Sequence, residues 1–116
     1  MDSMSLAKKI AECMENKKAE DVKILDIKEL TTMADYFVIC NGNSSTQMRA
    51  ISDEIEEKLK DDGLFASGRE GFGSDTWILM DYTDVIVNIF NKESRDFYGI
   101  ENLWADAGVV DLTSLS

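Results

Sequence analysis

The sequence predicts an α/β domain, a mixed β-sheet with helices packed against it. Three observations carry that expectation. Met48, Ile51, Ile55 and Leu59 form one apolar stripe at helical spacing, opposite Asp53, Glu54, Glu57 and Lys58. Residues 76–81 and 85–90 are short, β-branched and apolar, and flank the turn Asp81-Tyr82-Thr83-Asp84 as a β-hairpin does. Finally, 116 residues hold a single core, which at this size buries roughly 65% of the surface the unfolded chain would expose.

Taken in order, the chain opens with Leu6, Ile10, Cys13 and Met14 at helical spacing, predicting an amphipathic helix over 5–18 with Lys17 and Lys18 at the negative end of its dipole. Val22, Ile24, Leu25 and Ile27 predict a strand over 21–27 with one irregular step, and 35–40 a more buried strand; 28–34 connects them. Ser44 and Gln47 have the spacing of a capping box at the start of the striped helix, and Asp61-Asp62-Gly63 ends it. The stretch 68–75 carries three glycines and reads as a loop or hairpin connection between short strands.

In 85–90 both faces are apolar: Val85, Val87 and Ile89 on one, Ile86 and Phe90 beside Asn88 on the other, so one face must meet helices. In the strand before it, Ile78 and Met80 share one face and Trp77, Leu79 and Asp81 the other; if the first packs on helices, the second is open. A short helix over 92–98 and a further turn over 100–104 follow. The expected domain spans 1–107, with 108–116 a flexible tail. The element order is α-β-β-α-β-β-β-α, without repeats, linkers or proline.

Composition excludes several functions. Apolar residues at 44% and charged residues at 30% describe a folded, soluble chain. No apolar run approaches the ~20 residues that cross a bilayer, and the first residues lack the order of a secretion signal, so the expected location is the cytoplasm, with no membrane association. A net charge of −11 repels phosphate backbones, so little direct nucleic-acid binding is expected, and it favours basic protein partners. Cys13 and Cys40 fall on a predicted helix and a predicted buried strand and read as core residues. Two cysteines and no histidine cannot complete the usual four-ligand zinc site, and no metal or cofactor is expected. The commonest general base is missing as well.

Asn41 to Thr46, NGNSST, joins a strand to a helix. It reads as a cap; a phosphate cradle is the weaker reading, since it lacks both a P-loop lysine and a dinucleotide fingerprint. A strand, a Gly-Asn-Ser-Ser turn and a helix also open nucleotidyltransferase domains, whose chemistry needs paired carboxylates on metal ions. Asp81 and Asp84 are three apart at a turn, and Asp84 is followed by Val85, Ile86 and Val87, so they read as turn residues and no catalytic residue is expected. The aromatics of the last third, Trp77, Tyr82, Phe90, Tyr98 and Trp104, divide between core and interface: Phe90 is expected inside, while Trp77 and Tyr82 are candidate anchors.

ADYFVICNGNSSTQMRAISDEIEEKL (34–59), WILMDYTDVIVNIF (77–90) and RDFYGIENLWADA (95–107) together closely resemble the ribosomal silencing factor family, also called iojap-like proteins. The resemblance implies a nucleotidyltransferase-like α/β fold lacking the catalytic carboxylates. It further implies a non-enzymatic protein that binds the large ribosomal subunit through ribosomal protein L-fourteen and sterically blocks joining of the small subunit, repressing translation when nutrients are scarce, with a further part in large-subunit maturation. Carried over by motif, the partner-binding residues are Trp77, Asp81, Tyr82 and Asp84, followed by Tyr98, Leu103 and Trp104. Family members are often dimers, so a homodimer is a further expectation. Asn88 stands where the family commonly has histidine, and Asn91-Lys92 replaces a more typical His-Pro. Two competing readings are a generic dimeric interaction module and, behind it, a nucleotidyltransferase-type enzyme.

Overall fold

Helix α1 (Ser3–Asn16) starts where Asp2 accepts a hydrogen bond from the Ser5 N–H, and buries Leu6, Ala7, Ile10, Ala11, Cys13 and Met14 along one side. The computed structural model describes residues 2–71 and 76–112. Strand β1 (Glu20–Asp26) pairs antiparallel with β2 (Tyr36–Gly42), and the irregular step lies between Glu20 and Lys23, nearer the strand's start than the apolar pattern suggests. Asp21 there adopts φ 49°, in the left-handed region.

The striped helix is α2 (Ser45–Asp61). The Gln47 N–H donates to Ser44 Oγ at 3.1 Å, while Gln47 Oε1 accepts from the Asn43 N–H, so the return bond of the capping box reaches one residue before the cap itself. The Gln47 side chain also donates to the carbonyls of Lys17 and Lys18, tying this corner to the end of α1. Gly42 is required here: a Cβ would lie 2.7 Å from Met48 Cγ and 3.3 Å from its backbone nitrogen.

Strands β3 (Gly68–Glu70), β4 (Trp77–Asp81) and β5 (Val85–Asn91) follow, then α3 (Lys92–Tyr98), α4 (Ile100–Leu103) and β6 (Gly108–Val109). The six strands lie in the order β3-β4-β5-β2-β1-β6. β2 and β5 are parallel at the centre and every other pair is antiparallel. This mixed sheet with helices bears out the predicted α/β architecture.

The tail expected from 108 needs correcting. Gly108 and Val109 pair with Asp26 and Leu25, the Val110 N–H donates to the Ile24 carbonyl at 2.9 Å, and Val110 and Leu112 pack on the core. A two-residue strand has no periodicity to betray it. Residues 113–116 of that expected tail, and 72–75 of the expected glycine-rich connection, lie outside the described residues.

The sheet separates two apolar clusters. On one face Ile24, Val38, Cys40, Ile78, Met80, Val85, Val87 and Ile89 meet the stripes of α1 and α2. On the other, Leu25, Ile27, Phe37, Ile39, Ile86 and Phe90 meet α4 through Ile100, with Trp77, Leu79 and Trp104 at the margin. Both cysteines are buried, and burial pushes the Cys13 thiol up to about 11 and that of Cys40 up to about 12.

Candidate functional site

The hairpin places the site. Along β4, Ile78 and Met80 are buried toward the helices, whereas Trp77, Leu79 and Asp81 on the opposite face are only partly covered. Trp77 stands opposite Phe90 and Asp81 opposite Ile86, so the strip from indole to carboxylate is about 13 Å long at the rise of an extended strand.

At the Trp77 end the aromatics form a group. The indole lies over Phe90, with centroids 4.9 Å apart and planes 26° apart, and Tyr98 of α3 meets it at 5.1 Å. Below the indole Asn88 is fully buried, and its Oδ1 accepts from Trp77 Nε1 at 3.0 Å. That bond fixes the ring's rotation on the sheet. Asn88 Nδ2 has no hydrogen-bond partner among the described residues. Gly71, at φ 81°, passes so close to this strand that a Cβ would fall 2.0 Å from the Trp77 carbonyl oxygen.

Further along the same face, Met33, Phe37, Leu79 and Ile86 floor a shallow concavity of about 340 Å³ whose lining also includes Glu70 and Asp81. Trp104 packs on Phe37 at 5.8 Å. Its Nε1 is buried without a partner among the described residues. Met33, Phe97, Tyr98 and Leu103 are the large apolar side chains most exposed around this face, at 55%, 75%, 54% and 74%. Single exposed apolar residues are ordinary; a cluster rimmed by polar groups marks a contact surface.

The carried-over residues are therefore only partly brought together. Trp77 and Tyr98 touch, and Trp104 lies on the same face beside Phe37. Leu103 is exposed on α4 nearby. Asp81 and Asp84 sit at the other end of β4 from Trp77. Asp81 Oδ1 accepts the Thr83 N–H at 2.7 Å, and Thr83 takes φ 71°, so this carboxylate also holds the tight turn, as its position suggested. Asp84 is exposed, while its backbone carbonyl accepts from the Asp35 and Tyr36 N–H groups.

Tyr82 is the correction. It is 7% exposed and belongs to the cluster under α1 and α2, with its hydroxyl lacking a partner among the described residues; burial pushes its pKa up to about 12. Extending the alternation of Ile78 and Met80 by one step would have put it there. It cannot anchor a partner on the face that carries Trp77. Conversely, Met33, Phe37, Leu79 and Phe97 were not singled out from the sequence as contact residues. Leu79 lies on the face of β4 that alternation left open, and Phe37 follows from the same alternation along β2, whereas Met33 sits in a connection and Phe97 on a short helix, where no pattern marks them.

Among the described residues no group of three or more His, Cys, Asp or Glu could hold a metal ion, and no helix is long and apolar enough to cross a membrane.

The family model described as "Ribosomal silencing factor during starvation" matches residues 1–116. The chain belongs to the ribosomal silencing factor family. Its similarity to the ribosomal silencing factor RsfS of Bacillus subtilis is 40% identity over 112 residues, covering 97% of this chain and 95% of that one. A plastid relative, chloroplastic protein Iojap of Zea mays, is 29% identical over 96% of this chain and 48% of its own length. A crystal structure of a Chromobacterium violaceum protein superposes with a TM-score of 0.88 at 33% identity, covering 90% of this chain and 88% of that one. Another, from Bacillus halodurans, gives 0.78 at 35% identity over 94% and 96%. The expected membership and α/β architecture of the silencing factor family are thereby established.

Proposed function

We propose that this member of the silencing factor family binds the large ribosomal subunit through ribosomal protein L-fourteen, and by occupying that surface keeps the small subunit from joining. The observation that supports this most is the half-covered face of the sheet: an aromatic and aliphatic floor, Trp77, Leu79, Tyr98 and Trp104, with Glu70 and Asp81 lining it and Asp84 at its end. Aromatic side chains supply area that can be desolvated at little cost in rotamer entropy, and the carboxylates favour a basic partner in register with it. A standard interface covers about 800 Å² per partner, which suffices for exclusion without any chemistry. The same binding would repress translation when nutrients are scarce and accompany late maturation of the large subunit, in the cytoplasm.

A second copy of the chain is a weaker occupant of this face. Each copy has a net charge of −11, so two of them meeting on a carboxylate-bearing surface repel, whereas a ribosomal protein is attracted.

Co-sedimentation of the purified protein with separated large and small subunits, followed by a subunit-joining assay, tests the proposal. The expected result is selective pelleting with the large subunit and loss of joined ribosomes. Absence of pelleting at micromolar protein, together with a stable dimer, would replace it with the self-association reading. Thermal stabilisation by nucleotide and magnesium would point to nucleotidyl transfer instead, since a ligand at 100 times its dissociation constant adds about 2.7 kcal/mol.

A further inference from the structure

Helix α3 lacks what usually holds a surface helix down. Its one buried residue is not apolar: it is Arg95, 6% exposed, and in α4 only Ile100 is buried. A guanidinium in the interior persists only where its donors are matched. Arg95 Nε donates to Glu101 Oε1 at 2.7 Å, and Nη1 donates to the Asp21 carbonyl at 2.7 Å and to Asn41 Oδ1 at 3.0 Å. These acceptors come from α4, β1 and β2. The second oxygen of Glu101 accepts from Lys23 Nζ at 3.1 Å, adding β1 a second time.

The backbone is shaped to meet this cation. The irregular step in β1 and the left-handed φ of Asp21 accompany the carbonyl that Arg95 uses, and Asn41, 3% exposed, spends its side-chain oxygen on the same group. Non-glycine residues hold φ near 50° only when the surroundings over-determine them.

We propose that Arg95 is a positioning residue for the partner surface: by clamping α3 and α4 to the ends of β1 and β2, it sets Tyr98 against Trp77 and Trp104 against Phe37 before any partner arrives. The link to a partner rests on the function proposed above; the clamp itself does not. Removing the cation leaves Asn41 Oδ1, the Asp21 carbonyl and Glu101 without this donor, while the opposite face of the sheet keeps every apolar contact that it makes with α1 and α2. The α3–α4 segment loosens and the rest stays folded.

The test compares wild type, Arg95→Met, Arg95→Lys and Glu101→Gln by amide hydrogen exchange and by affinity for isolated large subunits. Arg95→Met is expected to raise exchange at least tenfold in α3 and α4, to leave protection in α2 and β5 unchanged, and to weaken large-subunit binding at least tenfold. Arg95→Lys keeps the charge but not the fork, and falls between Met and wild type; a role in packing alone would make Lys and Met equal and overturn the proposal. Should Arg95→Met fail to fold, Glu101→Gln, whose carboxylate is partly exposed, carries the same directions with a smaller loss. Unchanged protection of α3 and α4 in the Met and Gln variants overturns the clamp, and lost protection with undiminished binding overturns its part in the partner surface. Were wild type itself not to bind large subunits, the proposed function would fall, while the exchange data would still decide for or against the clamp.

Discussion

The two faces of this sheet are built by different means. Under α1 and α2 the packing is continuous and almost wholly apolar, with two long helices presenting regular stripes. Under α3 and α4 two short helices bring one isoleucine and one arginine to the surface they cover, and the aromatics at the margin stay partly in solvent. The first face holds the larger cluster; the second buries a smaller one, including Ile39 and Phe90, and leaves Trp77, Leu79 and Trp104 only partly covered. The proposed function needs both, because closing the second face would remove the proposed contact surface and opening the first would expose the larger core cluster.

The sharpest test of that division is a substitution on the closed face. Ile55→Ala, at a fully buried position of α2, is expected to lower unfolding stability by about 2–5 kcal/mol in denaturant titration, with binding to large subunits retained under conditions where the variant is still folded. Comparable loss of affinity at full occupancy of the native state would break the separation between the faces. Next in size is Trp77→Ala, for which the proposed function predicts a loss of about 2 kcal/mol in large-subunit affinity, measured by titration, with a smaller change in stability from the emptied place over Phe90 and the unpaired Asn88 oxygen. Tyr82→Phe belongs to the other face and should leave that affinity unchanged, since it removes only a buried hydroxyl with no partner among the described residues.

Smaller effects separate electrostatic from apolar contributions. Asp84→Asn removes an exposed charge at the end of the proposed surface, so the expected change is about 0.5 kcal/mol, expressed mainly in the association rate and its dependence on salt. The least effect concerns pH. The hydrogen bond from Arg95 is the main cause that holds the Glu101 carboxyl below its ordinary 4.5, with that from Lys23 assisting against burial. A lowered folded-state pKa stabilises the fold at pH above that ordinary value and ceases to as pH falls through the folded value. The fluorescence of Trp77 and Trp104 is therefore expected to change below about pH 4.5, ahead of the loss of helical signal from α1 and α2. Coincident transitions would mean that the two faces do not come apart.

What was legible in the sequence follows the same division. The closed face announces itself, because stripes such as Met48-Ile51-Ile55-Leu59 and the alternation of Ile78 and Met80 are the direct signature of packing. The open face was legible along β4, where alternation alone separates Trp77, Leu79 and Asp81 from their neighbours. It was hidden where position depends on contacts distant in the chain. Arg95 lies 74 residues from Asp21 and 54 from Asn41, and neither spacing leaves a local pattern. Gly108 and Val109 become a strand only because β1 offers an edge. Tyr82 is local by contrast: it sits in the tight turn, yet the alternation of Ile78 and Met80 continues one residue further and carries it into the same cluster.

The outer strands, β3 and β6, have a consequence for solubility. The sheet ends in segments of three and two residues, and Arg69 and Glu70 put charge on the longer of them. An edge that short presents too few free backbone donors and acceptors to recruit another chain's strand. Mutual repulsion between highly acidic molecules acts in the same direction as the blunt edges, against sheet-to-sheet pairing of two copies.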